Sequence, residues 1–194
     1  MSKPVAIVLN GASSSGKTSI VRALQRLSSV PMLHASLDVF TDMFDWTSVR
    51  DEATRRECHR VGVGNFHSAL AILASGPFPV VVDHVFERRA WFESCSAALG
   101  ASRAYWVGIR CPVEILEVRE RNRGDRRTGM ARWQADRVHQ GMSYDLELDT
   151  SLLSPNQCAE RILAMSAIPQ VANPSMHPTP APVTPAAGPR APGP

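Results

Sequence analysis

The sequence predicts an α/β fold, with a five-stranded parallel sheet and helices on both of its faces. Short β-branched runs alternate with longer helical patterns along the chain, and strands separated by helices form parallel sheets. A glycine-rich loop directly follows the first run, at the sheet edge where open α/β folds bind ligands. The chain is 44% hydrophobic and 20% charged, which excludes a disordered or fibrous class for most of it.

Each element follows from a local pattern, taken in chain order. We predict strands over residues 5–9, 32–37, 80–82, 104–109 and 144–148. We predict helices over residues 17–27, part of 51–73, 87–99, 113–122, 131–139 and 154–167. Pro112 and Pro155 stand near the start of two of these helices, where the fixed φ of proline fits the first turn.

The composition changes after residue 168. Residues 169–194 contain nine prolines and no acidic side chain, so this segment cannot bury a core. We therefore expect one domain over residues 1–168 and a proline-rich, disordered tail over 169–194. A core of this size needs no disulfide or metal for stability.

We expect a cytoplasmic protein without a membrane span. The four cysteines form no CxxC pair and indicate reduced thiols. The apolar run at the N-terminus ends at Leu9, which is too short for a signal peptide. The uncharged stretch 61–82 is interrupted by polar residues, glycine and proline, which argues against a helix that crosses a bilayer.

Arginine carries almost all of the positive charge, with 19 Arg against two lysines, Lys3 and Lys17. Lys17 lies in a segment that matches GxxxxGK[ST] between a predicted strand and a predicted helix. The segment reads Gly11-Ala12-Ser13-Ser14-Ser15-Gly16-Lys17-Thr18. Its glycines turn backbone N–H groups towards phosphates, Lys17 reaches the β- and γ-phosphates, and Thr18 ligates Mg²⁺. The sequence therefore predicts a P-loop nucleotide site.

Two carboxylates follow predicted strands at the same edge of the sheet. Asp83 ends the apolar run 80–82, as expected of an acid that holds Mg²⁺ directly or through water. Asp38 closes the second predicted strand and suits a general base that orients an acceptor hydroxyl towards the γ-phosphate. For both residues a helix cap is the alternative interpretation.

An apolar cluster follows Asp38 in the sequence. It consists of Val39, Phe40, Met43, Phe44 and Trp46. The cluster either lines a pocket for a partly hydrophobic acceptor or packs in the core, and the sequence does not separate the two.

Seven arginines are concentrated in residues 119–137. They are Arg119, Arg121, Arg123, Arg126, Arg127, Arg132 and Arg137. In a small P-loop kinase, the segment between the fourth and fifth strands forms a mobile lid that brings arginine onto the nucleotide. A solvated basic helix and a nucleic-acid surface are the alternatives. The interspersed acids and the net charge of +3 argue against a nucleic-acid partner.

The chain resembles the chloramphenicol phosphotransferase family over nearly all of residues 1–168. The resemblance rests on the loop and its helix (9–22), on Trp106-Val107-Gly108-Ile109-Arg110-Cys111, and on the motifs spaced along 123–150. It implies phosphorylation of the primary hydroxyl of chloramphenicol by ATP. The resemblance places the catalytic aspartate on Asp38 and the lid arginines on Arg123 and Arg126. Arg119, at the start of the arginine-rich segment, is a further candidate for contact with the nucleotide. The stretch 46–64 departs from the family pattern.

Two other functions remain open at this stage. The same mechanism could serve another small hydroxylated acceptor, namely a different antibiotic, a nucleoside or a nucleotide sugar. A nucleotide-binding NTPase without a small acceptor is the second alternative. A GTPase is excluded because its guanine-reading NKxD motif needs a lysine that neither Lys3 nor Lys17 supplies.

Overall fold

Five parallel strands form the central sheet in a computed structural model that describes residues 5–100, 102–123 and 129–171, with only the backbone of Arg123. The strands are β1 (Val5–Asn10), β2 (Leu33–Ser36), β3 (Val80–His84), β4 (Arg103–Arg110) and β5 (Leu146–Asp149). Their order across the sheet is β2-β3-β1-β4-β5, and every neighbouring pair is parallel. The predicted fold class is confirmed.

The helices are α1 (Lys17–Leu27), α2 (Leu37–Thr41), α3 (Glu52–Leu73), α4 (Arg89–Leu99), α5 (Val113–Arg123), α6 (Met130–Gln134) and α7 (Pro155–Ser166). Two differences from the predicted elements concern the site. The predicted helix 131–139 is interrupted, because α6 ends at Gln134 and a 3₁₀ helix follows over Arg137–His139. The short helix α2 was not predicted, and it replaces the end of the predicted second strand.

Both faces of the sheet are buried, as its continuous apolar strands require. Ile7 and Leu9 point to one face and pack with α1 and α7. Ala6 and Val8 point to the other face and pack with α3 and α4. This alternation along β1 places the core on both sides of the central strand and leaves the carboxyl end of the sheet for the site.

The strand register brings three chain segments together at that edge. Asp83 of β3 lies opposite Leu9 of β1 and opposite Ser36 of β2. The glycine-rich loop follows β1, and α2 follows β2. The ends of these strands therefore position the loop, Asp83 and α2 next to one another.

The start of the predicted tail contacts the body. The Ser29 N–H donates to the carbonyl of Pro169 at 2.9 Å, and the Val171 N–H donates to the carbonyl of Leu27 at 2.8 Å. Residues 172–194 lie outside the described residues, so the predicted tail stays a prediction there. Over the described ranges, we find no helix with the length and apolar character to cross a membrane.

Candidate active site

The glycine-rich loop requires glycine at both ends of its motif. Gly16 has a φ of 94°, a left-handed conformation that side chains with a Cβ rarely adopt. A Cβ on Gly11 would lie 2.6 Å from the carbonyl oxygen of Ile109 in β4. Helix α1 begins at Lys17, directly after the loop. The loop therefore has the tight turn and the helix N-terminus that bind phosphate.

Hydrogen bonds within the loop and with two other segments stabilise its conformation. The Lys17 ammonium donates to the carbonyls of Gly11 and Ala12 at 2.8 and 2.9 Å. The Ser13 N–H donates to the Gln134 side chain at 2.7 Å, and the Thr150 hydroxyl donates to the carbonyl of Ser15 at 2.8 Å. The loop is thus preorganised by contacts with α6 and with the segment after β5.

Two hydroxyls in the loop are left for a ligand. The Oγ atoms of Ser14 and Ser15 are buried and have no hydrogen-bond partner among the described residues. Buried polar atoms without partners are costly unless something else satisfies them. Such atoms in a glycine-rich loop that precedes a helix N-terminus fit a phosphate ligand.

Asp83 lies beside the loop as an ionised carboxylate. Burial acts to raise its pKa, but the His34 imidazole, the Lys17 ammonium and the Thr18 hydroxyl outweigh burial and hold the pKa of Asp83 below its ordinary value. The Thr18 hydroxyl donates to Asp83 at 2.9 Å, and the Lys17 Nζ lies 4.0 Å from the other carboxylate oxygen. An anionic carboxylate next to a hydroxyl matches the oxygen ligands of Mg²⁺.

A metal at this place would need ligands beyond the protein. Within the described part of the chain, no group of three or more His, Cys, Asp and Glu side chains is arranged to hold a metal ion. Mg²⁺ commonly keeps several waters and uses one or two carboxylates together with substrate phosphates. Thr18 and Asp83 fit that mode of binding and would hold the ion together with the nucleotide.

Asp38 does not close a strand, and this part of the prediction is wrong. Strand β2 ends at Ser36, and Asp38 is the second residue of α2. The turn is closed locally, because the Asp42 N–H and the Thr41 hydroxyl donate to the carbonyl of Asp38 at 2.8 and 3.0 Å. Asp38 still lies at the carboxyl edge of the sheet, as predicted, because Ser36 two residues before it lies opposite Asp83. The Asp38 side chain is exposed to the cleft.

Helix α2 packs closely on α3 at a glycine. A Cβ built on Gly62 of α3 would lie 3.3 Å from the Thr41 Cγ2, which is tighter than an ordinary contact. Gly62 is buried, whereas Gly64 of the same helix is exposed and has nothing within 4 Å of its own Cβ position. Gly62 therefore sets how closely the helix that carries Asp38 approaches α3.

One cleft of about 1290 Å³ joins these parts. Eight of the predicted site residues line it: Ser13, Ser14, Gly16, Lys17, Thr18, Asp38, Asp83 and Arg119. Gly11, Ala12 and Ser15 are buried within the loop. A cleft of this size exceeds the roughly 300–1000 Å³ of a single ligand pocket, so it has room for a nucleotide and an acceptor together.

Arg119 is fastened to the segment that follows β5. Its guanidinium donates to the Thr150 hydroxyl at 3.1 Å and to the Thr150 carbonyl at 2.8 Å. Arg119 lines the cleft near the loop. Arg123 ends α5, but its side chain lies outside the described residues, as does Arg126. The roles of these two arginines stay predictions.

In the arginine-rich segment, a buried carboxylate of α5 forms hydrogen bonds with the start of α6. Glu120 of α5 is 2% exposed, and it accepts from the N–H groups of Gly129 and Ala131 at 2.8 Å each. Gln134, also in α6, accepts from the Ser13 N–H of the loop. Its amide nitrogen donates to Glu87 at 2.7 Å, so this side chain connects the loop with Glu87. The segment is therefore anchored on both sides of residues 124–128.

The part of the cleft lined by the first turns of α3 and the start of α4, which we call the acceptor half, carries many charged side chains. In the predicted apolar cluster only Trp46 lines the cleft. Val39 and Met43 are 59% and 69% exposed, and Phe40 packs edge-on against Phe66 at 5.2 Å. The interpretation of this cluster as an apolar pocket is therefore wrong for all of its members except Trp46.

Sequence reasoning missed the residues that do line this half. They are Glu52, Arg55, Arg56, Glu57, His59 and Arg60 of α3, together with Glu87, Arg88 and Trp91. The spacing of four between Arg55 and His59 places both on one face of a helix. That spacing is a usable signal, but the direction in which the face points depends on the tertiary fold.

Two histidines are buried side by side behind Asp83. The Nε2 atoms of His67 in α3 and His84 in β3 lie 2.9 Å apart, and the Nδ1 of His67 lies 3.0 Å from the Ser94 hydroxyl in α4. Burial lowers the pKa of His67 to about 4 and that of His84 to about 3. Both rings are therefore neutral at pH 7 and join α3 and α4 to the end of β3.

Asn10, at the end of β1, connects the segments around the loop. It is fully buried. Its amide donates to the carbonyl of Val138 at 2.6 Å and to the Tyr144 hydroxyl at 2.7 Å. Its side-chain oxygen accepts from the Phe86 N–H at 3.0 Å. One side chain thus fixes the starting point of the loop against three other parts of the chain.

A protein-family model and two curated relatives match this chain. The family model is described as "Chloramphenicol phosphotransferase-like protein" and matches residues 5–167. Two strains of Mycobacterium tuberculosis each have a relative named "Putative O-phosphotransferase". Each is 30% identical over 179 residues, which span 80% of this chain and 79% of the relative.

Solved structures share the fold at low sequence identity. The tunicamycin resistance protein of Deinococcus radiodurans is 16% identical, with a TM-score of 0.65 over 89% of this chain and all of its own. The APS kinase of Mycobacterium tuberculosis, solved with AMPPNP and APS, is 18% identical, with a TM-score of 0.59 over 85% of this chain and 98% of its own. These likenesses confirm the P-loop kinase fold.

Proposed function

This chain belongs to the chloramphenicol phosphotransferase-like family, and from that premise we propose that it transfers the γ-phosphoryl group of ATP to a hydroxyl of chloramphenicol. It is a kinase that acts on an alcohol group, as its family and its relatives indicate. The single observation that supports the proposal best is the shared cleft, which the phosphate loop, Asp83 and Asp38 all line.

The loop residues bind and orient the nucleotide. Backbone N–H groups of the loop and the Lys17 ammonium bind the β- and γ-phosphates, so Lys17 leaves the carbonyls of Gly11 and Ala12 that it contacts in this structure. Thr18 and Asp83 would hold Mg²⁺, which would neutralise negative charge on the phosphates. Arg119, Arg123 and Arg126 supply further positive charge at the transferring group.

Asp38 acts on the acceptor. Its carboxylate accepts a hydrogen bond from the acceptor hydroxyl and orients the oxygen towards the γ-phosphorus. A bond forms between this oxygen and the γ-phosphorus while the bond to the β–γ bridging oxygen breaks, and ADP leaves. The hydroxyl proton passes to Asp38 late in the transfer and then to water.

Product analysis tests this proposal. The protein with MgATP and chloramphenicol should give ADP and a drug whose mass is increased by one phosphoryl group. A reaction with ATP but without acceptor gives the background rate of ADP release. If chloramphenicol does not raise ADP release above that background, chloramphenicol is not the acceptor.

The charged lining of the acceptor half favours a second candidate with the same mechanism. Charged side chains that line a cleft lose hydration when a ligand covers them, and a polar ligand replaces those hydrogen bonds better than an apolar one. The second candidate is therefore transfer to a more polar hydroxylated molecule, namely another antibiotic, a nucleoside or a nucleotide sugar. A panel of such acceptors under the same assay separates the two candidates.

A further inference from the structure

Two consecutive hydrogen bonds connect the phosphate loop with the acceptor half of the cleft. The Ser13 N–H donates to the Gln134 side-chain oxygen at 2.7 Å, and the Gln134 amide nitrogen donates to the Glu87 carboxylate at 2.7 Å. All three residues line the cleft, and Gln134 is only 5% exposed. One buried side chain of α6 therefore joins the loop to the segment between β3 and α4.

The two end groups fix the orientation of the Gln134 amide. A peptide N–H only donates hydrogen bonds, and a carboxylate only accepts them. The Gln134 oxygen must therefore face Ser13 and its nitrogen must face Glu87, because the reversed amide would place two donors together at one end and two acceptors at the other. Glu87 thus determines which end of the amide meets the loop.

The helix that carries Gln134 is itself held in place. The Ala131 N–H, in the first turn of α6, donates to the buried Glu120 carboxylate of α5 at 2.8 Å. Arg132 of α6 donates to Glu117 of α5. Gln134 therefore contacts the loop from a helix that is anchored independently of the loop.

The loop backbone is strained next to Ser13. Ser14 has a φ of 63°, a left-handed conformation that is costly for a residue with a Cβ. The Ser15 N–H donates to the carbonyl of Ala12 at 3.2 Å, which closes a turn with Ser14 as its third residue. A positive φ at that position of a turn favours glycine. Such strain persists where surrounding contacts maintain it, and Gln134 provides one directly before Ser14.

We propose that Gln134 is a positioning residue for the nucleotide. It holds the phosphate loop in the strained conformation that binds phosphate, and Glu87 holds Gln134 in the orientation that this requires. A loop that adopts this conformation for only a fraction of the time binds nucleotide more weakly by that fraction. Glu87 therefore affects nucleotide affinity although it lies in the acceptor half. The inference rests on the nucleotide site of the proposed function and is independent of the acceptor.

Calorimetric titration of ADP into the full chain without acceptor tests the role of Gln134. Gln134→Leu, which cannot accept from Ser13, should weaken ADP binding about tenfold, the scale of one buried N–H that loses its partner. Glu87→Leu should weaken it less, because Gln134 remains but is no longer held in one orientation. Gln140→Leu is the control and should leave the affinity unchanged, since Gln140 is exposed and outside the cleft lining.

An exchange of the two side chains separates the hydrogen bond from the charge. Gln134→Glu places two carboxylates together and should weaken ADP binding about tenfold. Adding Glu87→Gln provides a donor at position 87 for the acceptor at position 134, so the affinity should return to about the native value. Adding Glu87→Leu instead also removes a negative charge but provides no donor, so the affinity should stay low. Circular dichroism shows whether the variants are folded, and the exchange decides the question if Gln134→Leu does not fold.

Ser14→Gly tests the part that strain has in this arrangement. Glycine adopts the left-handed conformation without steric cost, so the loop needs less support from Gln134. The loss of ADP affinity that Gln134→Leu causes should therefore be smaller in the presence of Ser14→Gly than in its absence.

The inference is overturned if Gln134→Glu binds ADP as the native protein does, or if Glu87→Leu restores the affinity of that variant as well as Glu87→Gln. It is also overturned if Gln140→Leu has an effect equal to that of Gln134→Leu, or if Ser14→Gly leaves the loss unchanged. If the native protein binds no ADP, the proposed function fails as well. If the variants behave as expected while chloramphenicol is not phosphorylated, the role of Gln134 stands and only the choice of acceptor fails.

Discussion

The nucleotide half and the acceptor half of the cleft are built in different ways. The nucleotide half consists of a buried loop between β1 and α1, and each of its serines is at most 9% exposed. The acceptor half is formed in large part by the first turns of α3, in which no residue before Gly62 is buried. The residues of the nucleotide half are therefore buried against the core, whereas those of the acceptor half lie on the surface of the molecule.

This difference has a physical consequence for substitutions. A change in the loop disturbs close contacts with β4, α6 and the segment after β5, so few residues fit there. A change on the exposed part of α3 alters the ligand surface at little cost to folding. The fold can therefore keep one nucleotide site while its acceptor surface varies.

The largest effect is expected for Lys17→Arg, which probes the nucleotide half. Arginine keeps the charge, but its wide planar fork replaces a compact ammonium on a flexible stem, which has to move from two loop carbonyls to the β- and γ-phosphates. We expect kcat to fall on the order of 10³-fold, the scale of losing one group that stabilises the transferring phosphoryl. Steady-state kinetics measure this, and turnover within threefold of the native protein would contradict it.

An intermediate effect is expected for Gly62→Ala, which probes the acceptor half. The added methyl group meets Thr41 at 3.3 Å and shifts the helix that carries Asp38. We expect kcat to fall about tenfold, since small misplacements of a catalytic group are costly, while the KM for ATP is unchanged. Gly64→Ala is the control, because its methyl group meets nothing within 4 Å.

The control variant has its own expected result. Replacing an exposed helical glycine by alanine stabilises a helix by up to about 1 kcal/mol. Gly64→Ala should therefore raise the free energy of unfolding and leave kcat as it is. Equal kinetic effects of the two alanine variants would show that helix stiffness, rather than the α2–α3 contact, controls activity.

The smallest effect is expected for the pair of His67 and His84, and it appears in the free energy of unfolding rather than in kcat. Burial lowers the pKa of His67 from 6.5 to about 4. The unfolded chain therefore binds a proton below pH 6.5 that the folded protein does not bind. The contribution of neutral His67 to the free energy of unfolding is fully present above pH 6.5 and is lost as the pH falls towards 4.

Urea unfolding of the native protein and His67→Gln at pH 7.5, 6 and 5 measures this contribution. Glutamine retains a donor and an acceptor for His84 and Ser94 but does not titrate. The free energy of unfolding of the native protein should fall more steeply with decreasing pH than that of the variant. Parallel pH dependences would mean that His67 titrates normally in the folded state.

The sequence was sufficient for the parts of the site that local patterns determine. The loop from Gly11 to Thr18 and the carboxylate at Asp83 each follow from a strand and the residues directly after it. The strands were also found, because a sheet buried on both faces requires continuous apolar runs. Sequence reasoning therefore worked best for the nucleotide half.

The rest of the site depends on contacts between distant residues. Gln134 meets Ser13 across 121 positions, and no local pattern indicates that pairing. The rings of His59 in α3 and Trp91 in α4 lie 5.5 Å apart only because the two helices pack on the same face of the sheet. The helix that holds Asp38 was missed because its five residues are too few to show a helical period.

Asp38→Asn tests most directly the central claim that one cleft binds ATP through the loop and activates the acceptor through Asp38. The matched control is Asp42→Asn, because Asp42 is also an exposed carboxylate that lines the cleft one turn away. We predict that Asp38→Asn lowers kcat with chloramphenicol by on the order of 10²-fold while ATP affinity stays within twofold, and that Asp42→Asn changes neither. Near-native kcat in Asp38→Asn, or an equal loss in Asp42→Asn, would contradict the account.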